Sequence, residues 1–137
     1  MADVFNPEKR SAVMRAIKAK DTKPEIVLRS ALHRLGFRFR VHDSTLAGKP
    51  DIVLPKYRTL IQVRGCFWHG HSCVDGHLPK SRIDYWHPKI RNNQLRDQRT
   101  DLQNRRLGWS VLVVWECNLS GKRASREVSR VAILASA

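Results

Sequence analysis

The chain has 137 residues, a length that suits one domain, and 42% hydrophobic residues, enough for a packed core. No apolar stretch reaches 18 residues, so no membrane-spanning helix is expected. Lys and Arg number 26 against 12 Asp and Glu, a net charge of +14 spread along the chain, which makes nucleic acid the first partner to consider and another acidic partner the alternative.

The N-terminal segment MADVFNPEKR lacks the apolar region of a signal peptide. Three cysteines is an odd number, so disulfides are not expected and a reducing cytoplasm is. Asn6 and Pro7 supply a cap and a first helical position for a helix running to about Lys20. Val13 and Ile17 give it an inner side, and Met14 there reads first as core. Thr22 and Glu25 form a capping box for a second helix, whose apolar side is Ile26, Leu28, Leu32 and Leu35, and Gly36 ends it. This gives Glu25 a complete structural role.

Phe37 to Val41 alternates apolar and arginine, as a half-buried strand does. A loop over residues 43–49 leads to a short strand, Pro50 to Leu54, with Asp51 at its start. Residues 55–58 turn the chain into a strand from Thr59 to Val63. Alternation puts Leu60, Gln62 and Arg64 on one face and Ile61 and Val63 on the other. A tight turn would bring Asp51 close to residues 62–64. An acid beside a polar residue and a base is the shape of a metal-dependent nuclease site: the carboxylate holds Mg²⁺, and the positive group offsets charge in the transition state. A plain turn residue is the other reading of Asp51.

Val63 to Cys73 reads VRGCFWHGHSC and carries the densest chemistry. Cys66, His71 and Cys73, with Cys117 far downstream, offer the thiolate and imidazole donors of a closed Cys3His zinc site, which would be structural. On spacing alone His69 and His71 are interchangeable, and three buried free thiols are the plain alternative. Residues 74–81 form a loop, and Ile83, Tyr85 and Trp86 an amphipathic patch. Pro88 opens a long, very polar, cationic helix to about Leu107, which Gly108 stops. Trp109 to Trp115 is the strongest strand signal, expected to be central and parallel. A weaker helix follows from about Ala124 to Leu134. The order defines an α/β domain over residues 1–137, a small mixed sheet flanked by helices, with sites gathered at strand ends.

The segments MRAIKAKDT, GKPDIVLPKYR, GCFWHGH with Cys73, RIDYWHPKI, NNQLRDQR and LGWSVLVVWEC resemble the very-short-patch-repair (Vsr-type) DNA mismatch endonucleases, from about residue 10 to 120. The resemblance implies a fold like the type II restriction endonucleases, with zinc on Cys66, His71, Cys73 and Cys117. It implies Mg²⁺ on Asp51 and the Val63 backbone carbonyl, His69 as general base or holder of the attacking water, and Glu25 contributing through a water on the metal. Phe67 and Trp68 would wedge into the base stack beside a T:G mismatch, with Met14 helping from the opposite groove. The family nicks 5′ to the thymine left when 5-methylcytosine deaminates, which implies a functional link to a cytosine-5 methyltransferase. A bacterial, nucleoid-associated monomer acting on double-stranded DNA is expected. One departure stands out: Arg64 occupies a position where the family usually has histidine. Arginine as a residue type does not pass protons near neutral pH. It could hold the scissile phosphate or stabilise the transition state; the rival is a zinc-stabilised mismatch-binding protein with weak or no nuclease activity.

Overall fold

The computed structural model describes residues 22–73 and 82–137. The expected first helix with Met14, and the loop over 74–81, lie outside the described residues. The described elements are α1 (Lys23–Arg34), β1 (Arg40–Val41), β2 (Ile52–Leu54), β3 (Thr59–Arg64), α2 (Ile83–Arg106), β4 (Ser110–Trp115) and α3 (Arg123–Ser136). Short 3-10 turns cover Pro55–Tyr57 and Glu116–Leu119.

The four strands form one mixed sheet in the order β1-β2-β3-β4. β1, β2 and β3 are antiparallel neighbours, and β4 runs parallel to β3. The β2–β3 turn is tight because Pro55–Tyr57 makes a single 3-10 turn and Arg58 takes a left-handed backbone, φ 47°. A parallel pair needs a crossover, and α2 supplies it between β3 and β4. On one face of the sheet, Leu28 and Leu32 of α1 and Val128, Val131 and Ala135 of α3 pack on Ile52, Leu54, Ile61 and Val114. On the other face, Arg64 of β3 reaches Asp101 of α2. The expected alternation along β3 therefore separates an apolar core from a polar layer.

Several local expectations are corrected. Thr22 precedes α1 but makes no side-chain cap bond, so there is no capping box; Glu25 is buried and turned toward His42. Only Arg40 and Val41 of the Phe37–Val41 run join the sheet, because Phe37 and Phe39 pack against the core without entering the ladder. The long helix begins at Ile83, with Pro88 inside it. Losing one N–H near a helix start removes only the bond back to Asp84, which the remaining turns outweigh. β4 is parallel as expected but lies at the edge of the described sheet rather than at its centre. The central strands are β2 and β3, and Ile52–Leu54 of β2 are buried throughout, whereas β4 is mostly half-buried. Arg130 of α3 donates to the Val113 carbonyl at 3.2 Å, so a side chain serves one of β4's acceptors.

Candidate active site and metal centre

Asp51 stands one residue before β2, opposite the end of β3, and its Oδ2 accepts the Val63 N–H at 2.7 Å. The hairpin thus brings Asp51 to residues 62–64, as strand adjacency predicts. Burial pushes the Asp51 carboxyl up to about 7, and the negative charge of Glu25 adds to that rise. The Val63 hydrogen bond, Arg29 and Arg64 pull the other way without winning. Glu25 comes in from the first turn of α1 and is 5% exposed. Between the two carboxylates lies His42, with Nε2 3.3 Å from Glu25 Oε2 and Nδ1 3.8 Å from Asp51 Oδ1. Ligand atoms of Glu25, His42 and Asp51 all lie within 4.8 Å of one another. A buried carboxyl that resists ionisation beside a second acid is an environment that a divalent cation would relieve, so this group fits one.

All three residues line a cleft of about 1080 Å³, together with Arg64, His69 and Asp97. His69 Nδ1 lies 2.5 Å from Asp97 Oδ2. With its proton on Nδ1, the ring keeps the Nε2 lone pair for the cleft. Asp97 also lies 3.7 Å from Arg64 Nε, and Arg64 Nη2 bonds both oxygens of Asp101 at 2.8 Å. The guanidinium that sequence reasoning offered to a phosphate is therefore paired with two acids of α2.

The other wall of the cleft is aromatic. Phe67 and Trp68 meet edge to face with centroids 5.1 Å apart, and Trp86 packs on Phe67 at 5.1 Å and on Trp68 at 5.9 Å. Lys89 lies over Trp68 at 5.9 Å. The turn that carries Phe67 and Trp68 is held from three sides. His71 N–H donates to the Cys66 carbonyl at 2.9 Å, Asn93 of α2 donates to the Trp68 carbonyl at 2.8 Å, and Glu116 Oε1 accepts the Cys66 N–H at 3.1 Å. Gly70 has φ +66°, and a Cβ there would meet Ile90 Cγ2 at 2.9 Å and displace the Gln94 amide, so this left-handed position under α2 favours glycine.

Behind this turn, Cys66, His71, Cys73 and Cys117 offer ligand atoms within 4.8 Å of one another. Of the two interchangeable histidines, His71 falls in this group, its ring stacked on Trp115 at 4.2 Å, and His69 turns to Asp97. Burial pushes the Cys66 thiol up to about 12 and raises Cys117, and Cys73 adds to both shifts. Crowded buried thiols beside an imidazole are the donor set that zinc deprotonates and closes tetrahedrally, so the residues fit zinc.

Sequence reasoning missed His42, Asp97, Asp101, Glu116, Asn93 and Trp86's place in the aromatic wall. Only one signal was available: Asp97 and Asp101 are i and i+4 on an otherwise cationic helix, and so share a face.

Asp51 and His42 at strand ends of a small mixed sheet, with Glu25 of α1 beside them, in a chain of charge +14, fit a DNA endonuclease. Residues 2–75 match the family model described as DNA mismatch endonuclease Vsr. The chain is 52% identical over 120 residues to the type II nicking enzyme V.XorIIP of Xanthomonas oryzae pv. oryzae, covering 88% of each. It is 49% identical over 127 residues to the type II nicking enzyme V.NmeAIP of Neisseria meningitidis serogroup A, covering 93% of this chain and 91% of the relative. With the DNA mismatch endonuclease Vsr of Escherichia coli it shares 46% over 122 residues, covering 89% and 78%. The chain belongs to the Vsr family of DNA mismatch endonucleases.

Proposed function

We propose that this endonuclease nicks double-stranded DNA 5′ to the thymine of a T:G mismatch, in a Mg²⁺-dependent reaction. The observation that supports this most is a single cleft with two carboxylates and His69 on one wall and three aromatics packed edge to face on the other. Asp51, Glu25 and the Val63 backbone carbonyl would hold the divalent ion. When bound, such an ion offsets charge on the phosphoryl oxygens and acidifies a water. His69, oriented by Asp97 at Nδ1, presents Nε2 to take a proton from the attacking water. Arg64, paired with Asp97 and Asp101, keeps that dyad in place and adds positive charge at the cleft floor. The proton acceptor is then His69, and no histidine is needed at position 64, which favours an active enzyme over a protein that only binds mismatches.

Phe67 and Trp68, with Met14, would wedge beside the mismatch. Unstacking costs a few kcal/mol per step, and less at a mispair, so a stiff aromatic wedge favours mismatched DNA. Zinc on Cys66, His71, Cys73 and Cys117 would supply the stiffness. The proposal includes a restriction-endonuclease-like domain across residues 1–137, acting as a monomer in the bacterial cytoplasm at the nucleoid, on lesions from a cytosine-5 methyltransferase. The test is a nicking assay with Mg²⁺ on T:G and fully paired duplexes, with wild type, Asp51→Ala and Arg64→His. Nicking of the mismatched duplex alone, lost in Asp51→Ala, is expected. No nicking by wild type, with rescue by Arg64→His, would overturn it in favour of the binding protein.

A further inference from the structure

We propose that His42 is a direct ligand of the divalent ion in the cleft, so that this chain's metal site has one nitrogen and two carboxylate donors and accepts Mn²⁺ more readily than an all-oxygen site. The inference rests on the reading that Asp51 and Glu25 hold a divalent ion, and it adds a ligand that this reading does not contain.

Three observations carry it. First, the His42 backbone is tied to the residue it would assist: its N–H donates to the Asp51 carbonyl at 3.2 Å. Second, its backbone is left-handed, φ 49°, a conformation uncommon outside glycine, and the chain adopts it at the point where β1 ends and the ring turns inward. Third, the ring is 15% exposed and inserted between the acids, Nε2 3.3 Å from Glu25 Oε2 and Nδ1 3.8 Å from Asp51 Oδ1. Adjacent ligands around an octahedral ion with bonds of about 2.1 Å stand about 3.0 Å apart, so the 3.3 Å gap is close to a shared coordination edge. A neutral imidazole offers one nitrogen lone pair, and the geometry sets a ring nitrogen of His42 beside the space that an ion held by the same two acids would occupy.

The consequence is selectivity. Mg²⁺ takes oxygen ligands and gives up water reluctantly. Imidazole suits the first-row transition ions, and Mn²⁺ accepts both carboxylate and nitrogen. The site should therefore bind Mn²⁺ more tightly than Mg²⁺ by a margin that depends on His42.

Mn²⁺ is both ligand and spectroscopic probe. The full chain is titrated with Mn²⁺ and, separately, Mg²⁺, as wild type, His42→Asn, His42→Gln and Asp51→Asn. Asparagine is chosen because it tolerates a left-handed backbone. Bound Mn²⁺ is then examined by electron spin echo envelope modulation, which detects a directly coordinated imidazole nitrogen. The expected result is a nitrogen coupling in wild type, absent from both His42 variants, with the Mn²⁺ to Mg²⁺ affinity ratio lowered roughly tenfold. Melting curves establish that each variant is folded, and the glutamine variant decides if the asparagine variant is not. Mn²⁺ binding that Asp51→Asn abolishes, but with no nitrogen coupling in wild type or with a coupling that survives in the His42 variants, overturns the inference and leaves the two-carboxylate reading standing. Mn²⁺ binding indifferent to Asp51→Asn overturns both.

Discussion

Asp51 is a half-buried acid whose environment suits a cation better than it suits water. Its carboxyl ordinarily titrates near 3.8 and is pushed up to about 7 in the folded chain. Between those values the folded chain holds a proton that the unfolded chain has released, so metal-free stability falls as pH rises through that window. Above pH 7 the full cost applies, on the order of a few kcal/mol. Asp51→Asn removes the charge and keeps an acceptor for the Val63 N–H. Without divalent metal at pH 8 its melting temperature should exceed wild type by several degrees, and the two should converge near pH 4. Millimolar Mg²⁺ should raise wild type and leave the variant unmoved. Equal melting temperatures at both pH values would contradict this account. Arg64 is the second test at this scale. Asp101 is 7% exposed and Arg64 Nη2 serves both its oxygens, so Arg64→Met strands a buried charge and should cost about 3 kcal/mol in denaturant unfolding. Arg64→Met combined with Asp101→Leu should recover most of that loss. Asp97→Asn, which removes the acid orienting His69, should lower kcat about a hundredfold or more in single-turnover nicking, with little change in DNA affinity.

At the scale of elements, the turn between β3 and α2 is the part that everything else positions. Gly70→Ala would drive a Cβ into Gln94 and Ile90 across a left-handed backbone. It should lower the melting temperature and weaken mismatch preference together, since α2 could no longer approach the turn. With zinc held as proposed, a chelator should do the same, releasing the thiols of Cys66, Cys73 and Cys117 to a thiol reagent. What the sequence made legible here followed local rules. Asp51 falls beside residues 62–64 because a tight hairpin fixes strand register, and the parallel β3–β4 pair follows from a long helix between two strands. Cys117 could be grouped with Cys66 because few residue types form such a donor set. The illegible parts depend on tertiary packing. No periodicity tells that α2 crosses the sheet at an angle that sets Asp97 under His69 and Asp101 under Arg64. The capping box at Thr22 and Glu25 was a sound local rule overridden by tertiary packing, which turns the same acid toward His42. His42 escaped notice because two strand residues ending in a left-handed histidine carry no pattern.

For the whole molecule, the proposed function divides recognition between charge and shape. A net charge of +14 attracts any duplex, and this part of the affinity carries no information about a mismatch. On the proposed function, the aromatic wall of Phe67, Trp68 and Trp86 would sense stacking. The two contributions separate in a salt titration of DNA binding. If about six to eight phosphates are neutralised, log K should fall with log salt at a slope of roughly −5 to −7, alike for paired and T:G duplexes. Mismatch preference should then appear as a vertical offset between two parallel lines, since unstacking a base step releases few counterions. Trp68→Ala should close that offset, bringing the T:G line down toward the paired line, with both slopes retained. A wall that served only as core packing would give another outcome: Trp68→Ala would lower both lines together or unfold the chain, and the offset would persist. A variant lacking Lys89, whose ammonium lies over Trp68, separates the roles further. As a phosphate contact it should reduce both slopes by about one, and as a cation seated on the wedge it should shift the T:G line alone.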